Sequence, residues 1–177
     1  MPKAGKRSIR SGLKKGKAEG ITFHEDTANA ASVIDEYYAV MEETAQRDGF
    51  RPHPKAVYMD LLRTLGPKHA RIFSMRDADD AILCWDFCLV EGIRAQAEYG
   101  ASTEAGRRLR QPPVLDFLAA EYLARDGVRE FDLMGAHSPR CPDLFSVGKY
   151  KIAFASHFTD VPGGWDMPIK KNTYRAL

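Results

Sequence analysis

The segment 81–90, AILCWDFCLV, constrains the fold more than any other part of this chain. It is almost wholly apolar, far shorter than the ~20 residues a membrane helix needs, and bounded by the polar turn 77–80 and by Gly92. A run of this length and composition reads as the central strand of a sheet. Strand-like segments lie beside it at 70–75 (ARIFSM) and 92–99, giving a meander, with a short strand at 21–24 (ITFH) before them. The other segments change period. Val33, Tyr37, Val40, Met41 and Thr44 recur at helical steps within 29–48, and Gly49 ends that helix. Phe50, Pro52 and Pro54 form a stiff connector to a second helix over 55–65, stopped by Gly66-Pro67. A polar, basic loop at 101–111 leads to Pro112 and Pro113, which open a helix running to Arg125 with Leu115, Leu118, Ala119, Tyr122 and Leu123 on one face. Strands are predicted at 128–133 and 150–154 (YKIAF), with WDMPI (165–169) at the end. The order predicts an α/β (α+β) fold: one domain over 21–177, a mixed central sheet flanked by helices, with no internal repeat or linker.

The chain of 177 residues is long enough for a hydrophobic core. Its charge is uneven. Residues 1–17 hold seven of the 26 basic residues and none of the 24 acidic ones, so the rest is acidic by five. This Gly- and Lys-rich stretch predicts a flexible basic tail over 1–20, which either neutralises phosphates of an RNA or merely solubilises the chain. No apolar stretch follows it, so it does not read as a secretory signal, and no run is long enough for a membrane span. Cys84, Cys88 and Cys141 stand at non-metal spacings and read as reduced thiols, pointing to a cytoplasmic protein. Cys141 lies in a Pro-rich loop and is a further candidate nucleophile.

Candidate chemistry is sparse. Arg107, Arg108 and Arg110 follow Gly106 just before a helix start, a place suited to an anion, though two prolines remove donors there and no phosphate-loop fingerprint is present. A solvated surface loop is the alternative. Asp132 alternates away from Phe131 and Leu133; it anchors the Gly135 turn, pairs with a cation, or acts as a general base. Lys149 and Lys151 flank Tyr150, and on a strand they share a face, either steadying an oxyanion or phosphate or lying on an edge. The five histidines show no metal spacing, and His137 alone follows the turn as a candidate base. No Gly-x-Ser-x-Gly elbow is present.

Taken in order, IDEYYAVMEETAQRDGFRPHPKAVYMDLLRTLG (34–66), WDFCLVEGIRAQAEYGAS (85–102), PPVLDFLAAEYLARDGVREFDLMGAH (112–137), FSVGKYKIAFA (145–155) and GGWDMPI (163–169) resemble the Fem family of aminoacyl-tRNA-dependent aminoacyltransferases, specifically its second acyltransferase-like (GNAT-like) domain. The resemblance implies transfer of an amino acid from aminoacyl-tRNA to a primary amine, without metal or cofactor. It places Tyr150-Lys151 at the family's aromatic–lysine pair, with Lys151 stabilising charge. Asp132 and Gly135 match the strand-end motif, although Ala136 stands where a second glycine is common. The implied catalytic set is Lys151, Asp132 and His137. The implied substrate and tRNA contacts are Tyr150, Lys149, Arg107, Arg108, Arg110, Tyr99, Gly135 and Trp165. Family members carry two such domains and this chain has one, which suggests a small peptide or peptidyl-nucleoside acceptor, as in antibiotic biosynthesis, over cell-wall bridging. The rival readings are an acyl-CoA N-acyltransferase, whose usual Arg/Gln-x-x-Gly-x-Gly/Ala loop does not match 107–112 (RRLRQP), and a non-catalytic RNA- or protein-binding module.

Overall fold

The computed structural model describes residues 1–136, 145–155 and 158–159. Its centre is a five-stranded sheet in the order β1 (Thr22–Glu25), β2 (Ala70–Arg76), β3 (Ile82–Glu91), β4 (Arg94–Ser102), β5 (Glu130–Asp132). The first four strands are antiparallel, while β5 runs parallel to β4. The apolar run is indeed interior: every residue from Ile82 to Cys88 is buried.

Two helical layers cover that strand. On one face, α2 (Ile34–Asp48) and α3 (Lys55–His69) place Tyr37, Val40, Met41 and Tyr58 over Trp85 and Phe87. On the other, α5 (Pro112–Arg125) places Val114, Leu115, Ala119 and Leu123 over Phe73, Met75, Cys84 and Cys88. Gly49 closes α2 in the left-handed conformation (φ 75°), and Gly66 (φ 68°) breaks α3 before Pro67, as their positions in the sequence suggest. The register steps by one residue between the pairs Met75–Cys84 and Arg76–Ile82, so Leu83 is an extra residue, a β-bulge. Beyond it the two-residue period sends Cys84, Asp86 and Cys88 towards α5, and Trp85 and Phe87 towards α2.

Three expectations are corrected. Residues 1–20 are not a flexible tail: Lys3–Ala18 form α1, packed on α5. The positions buried in it are Gly5, Ile9, Gly12 and Gly16, one face at helical spacing. Because three are glycines, the backbone comes very close to its neighbours; a Cβ on Gly12 would lie 2.5 Å from the Arg110 carbonyl oxygen. The loop 101–111 contains a short helix, α4 (Glu104–Arg108), capped by Thr103, whose Oγ1 accepts from the Gly106 N–H at 3.0 Å. Finally, Tyr150-Lys151 end a helix, α6 (Phe145–Lys151), where a strand was expected. The Tyr150 and Phe154 rings pack at 5.6 Å, and the Ile152 N–H donates to the Gly148 carbonyl at 2.9 Å; both are four-residue, helical spacings. WDMPI, Cys141, His137 and Trp165 lie outside the described residues.

Candidate active site

The sheet is incomplete at one place. β4 and β5 pair only through Arg94–Glu130, Ala95–Phe131 and Gln96–Asp132. Directly beyond, the β3–β4 register steps between Phe87–Tyr99 and Cys88–Ala97, making Glu98 a bulge. A bulge sharpens bend and twist, and among the described residues no strand covers the β5 side of β4 from Ala97 to Ser102. The unpaired stretch of β4 beside the end of β5 forms one side of a candidate wedge.

Buried ionisable groups stand beside that wedge, on the α5 face. Asp86 of β3 lies against β4, where a Cβ on Gly100 would come within 2.9 Å of its Oδ1. Asp116 of α5 faces it, and each is less than a tenth exposed. The two carboxyls lie close enough to shift each other's ionisation, and Asp86 Oδ2 finds no hydrogen-bond partner among the described residues. Two adjoining carboxylates cannot both ionise in such a place. Burial, then the Asp116 charge, pushes Asp86 well above the usual carboxylate range, so it keeps its proton. Burial pushes Asp116 up to about 6, opposed by the hydrogen bond from Tyr150, by the neighbouring Asp86 carboxyl and by the Lys151 charge. At neutral pH the pair therefore holds one proton and one negative charge.

α6 brings two further groups. The Tyr150 hydroxyl donates to Asp116 Oδ2, while a third of the residue remains exposed. Burial and the Asp116 charge raise the Tyr150 hydroxyl well above its usual range. Lys151 Nζ donates to the Gly135 carbonyl at 2.7 Å, just past the end of β5. Burial lowers the Lys151 ammonium from its usual value, while Asp116 and Asp132 act to raise it. Asp132 Oδ1 accepts from the Met134 N–H at 2.7 Å, so it anchors the turn in which Met134 takes φ 66°. The arrangement offers a hydroxyl hydrogen-bonded to a buried carboxylate, with a cation on the next residue of α6, suited to amine deprotonation and oxyanion stabilisation. Cys84, buried beside both carboxylates, is held a thiol and is inert.

The structure thus gathers Tyr150, Lys151, Asp132 and Gly135. Lys149 is exposed on α6. Tyr99 lies on the other face of the sheet, against Tyr58 (ring centroids 5.0 Å apart). Arg107, Arg108 and Arg110 are exposed around α4, and Arg107 pairs with Asp48 at 3.4 Å. Sequence reasoning missed Asp86 and Asp116. The available signal was a carboxylate inside an apolar strand and another on the apolar stretch PPVLDFLAA of a helix.

The loop before α5 uses its own donors. The N–H groups of Gly106, Arg107, Leu109, Arg110 and Gln111 all donate to Thr103 or to carbonyls within 105–107. Pro112 and Pro113 have none, and Val114 and Leu115 donate to the Gln111 carbonyl at 3.0 and 2.8 Å. Gly106 sits so close to the β3 bulge that a Cβ would lie 2.4 Å from the Leu83 carbonyl oxygen. Gln111, fully buried, donates to the Gly12 carbonyl of α1 at 3.2 Å. Among the described residues no group of side chains could hold a metal ion, and no helix is long and apolar enough to cross a membrane.

Solved structures share this fold. FemX superposes with TM-score 0.72 at 12% identity, over 85% of this chain and 52% of its own. The C-terminal domain of a putative lysylphosphatidylglycerol synthetase from Agrobacterium fabrum gives 0.61 at 16%, over 82% and 46%. AAC(6')-Iy in complex with the bisubstrate analog CoA-S-monomethyl-acetylneamine gives 0.58 at 13%, over 83% and 97%. The chain spans about half the length of the first two. At these identities the likeness is one of fold. Among curated proteins no sequence matches. The acetyltransferase (GNAT) domain model matches residues 3–151, from α1 through the last residue of α6, and the chain belongs to that family.

Proposed function

We propose that this acyltransferase-fold chain transfers an amino acid from aminoacyl-tRNA to a primary amine of a small peptide or peptidyl nucleoside, forming an amide. The observation that supports an RNA ester over a coenzyme thioester is the closed loop before α5. A diphosphate at a helix N-terminus needs free N–H groups, and here they are spent within the chain or replaced by proline. The resemblance of the sequence to Fem enzymes supports the same donor.

The amine attacks the ester carbonyl, a C–N bond forms, and the C–O bond to the ribose breaks. Lys151 stabilises the oxyanion of the tetrahedral intermediate. The amine's proton passes to Tyr150 as Tyr150 gives its own to ionised Asp116; on collapse of the intermediate a proton returns from Asp116 through Tyr150 to the ribose oxygen, which leaves as a hydroxyl. The ester is already activated, so positioning and charge stabilisation suffice, with no cofactor beyond the aminoacyl-tRNA co-substrate. A coenzyme-dependent N-acyltransferase is the second reading, favoured by the match over 97% of AAC(6')-Iy.

Aminoacyl-tRNAs and acetyl-CoA, each incubated with a panel of peptide amines, separate the two. Amide formation from aminoacyl-tRNA is expected. Turnover of acetyl-CoA without any RNA effect would replace this reading with the second, and RNA binding with no turnover on either donor would leave a binding module.

A further inference from the structure

Helix α1 carries seven basic residues and no acidic one, and all seven are exposed. Among the described residues none of them forms an ion pair; Lys15 alone has a polar contact, its Nζ donating to the Arg108 carbonyl at 3.0 Å. Lys3–Arg7, Lys6–Arg10 and Arg10–Lys14 are like-charge pairs one turn apart, each of which disfavours the helix. The buried face, with its three glycines, adds poor helix propensity. A helix with these handicaps is held by docking, and docking fixes its charges in place.

The placement gives those charges a direction. At its start, α1 meets the end of the α6 segment: a Cβ on Gly5 would strike the Ala153 carbonyl oxygen, two residues beyond Lys151. Further along, Gly12 abuts Arg110, and Lys15 reaches Arg108. A rigid row about 24 Å long therefore runs from the Tyr150–Lys151 wedge to the exposed Arg108 and Arg110, neither of which has an ion-pair partner among the described residues. We infer that this row is the docking surface for the phosphate backbone of a base-paired RNA stem, whose single-stranded 3′ end is thereby led to the wedge. This rests on the aminoacyl-tRNA reading and specifies how that donor is held. A lipid surface is a poorer fit. A membrane-bound amphipathic helix needs an exposed apolar face, whereas the small and apolar residues of α1 are turned onto the protein, apart from Leu13 at 42% exposure.

The full chain and a K6Q/R10Q/K14Q/K17Q variant are titrated with a fluorescent, uncharged RNA hairpin bearing a single-stranded 3′ tail, at several salt concentrations. If each of the four residues neutralises one phosphate of the stem, the slope of log K against log salt falls by about 3.6. A K6R/K14R/K17R variant should keep the original slope, which separates charge from misfolding, and far-ultraviolet circular dichroism checks α1 in both. A fall below two units, or equal effects in the two variants, overturns the assignment. So does sedimentation with phosphatidylglycerol vesicles when the hairpin is not bound. Transfer from aminoacyl-tRNA with an unchanged salt slope would remove this surface but leave the proposed function. The expected slope change with no transfer would remove the function and leave the surface.

Discussion

Asp116→Asn separates the stability of the buried pair from its chemistry, because the two should move in opposite directions. Asp116 rises from 3.8 to about 6 on burial. A carboxyl whose folded value is raised stabilises the fold fully below its unfolded value, and that contribution is lost as pH rises through the folded value. Two units correspond to about 3 kcal/mol, lost between about pH 4 and pH 6. Asparagine is uncharged throughout, so the variant should lack that decline. Its amide oxygen can still accept from Tyr150 and its NH2 can donate to Asp86. Urea unfolding from pH 4 to pH 7 should therefore show the parent losing about 3 kcal/mol more than D116N. Asp86 is raised chiefly by burial and so contributes a decline in both proteins, smaller in D116N, where the Asp116 charge is absent. Turnover at neutral pH should fall by about 10²–10⁴, the usual worth of a proton acceptor. Parallel stability curves for the two proteins would refute the assignment of a buried, half-ionised pair. Loss of stability together with activity at pH 7 would make Asp116 a structural carboxylate.

Lys151→Ala should lower turnover by about 10²–10³ with little change in RNA affinity, as for an oxyanion donor; equal losses in single-turnover rate and in binding would make it a phosphate contact. Gly106→Val should destabilise by about 1–3 kcal/mol in urea titration, since its Cβ would stand 2.4 Å from backbone at Leu83; an unchanged midpoint would show that α4 is free to shift. Tyr150→Phe keeps the ring contact with Phe154 but removes the donor to Asp116, and should raise the apparent pKa of the acidic limb in a pH–rate profile. A shift of that limb to lower pH would contradict the hydrogen bond.

The scaffold was legible because its signals are local. The apolar run 81–90, the Gly49 and Gly66-Pro67 stops and the Pro112-Pro113 start each act within a few residues, and each matches an element boundary to within a few positions. α1 was not legible, because its buried face is mostly glycine and shows no apolar period; only the approach of α5 and Arg110 gives those glycines a purpose. Lys149, Tyr150 and Lys151 alternate as a strand would, and the tie from Tyr150 to Asp116, thirty-four residues away, is a long-range fact. Asp86 and Asp116 each stood out as a charge among apolar residues, but their pairing depends on the Leu83 bulge and on how α5 crosses β3.

Only three residue pairs join β5 to β4, one of them reinforced by an Arg94–Glu130 bridge at 2.7 Å, whereas β3 is paired on both sides from Cys84 to Leu89. Amide hydrogens of β5 should consequently exchange with solvent through small local openings, while those of β3 should wait for global unfolding. The half of the protein that carries the proposed site is thus separable from the half that sets its melting temperature. Changes that widen or narrow the cleft can accumulate at this seam with little penalty to folding.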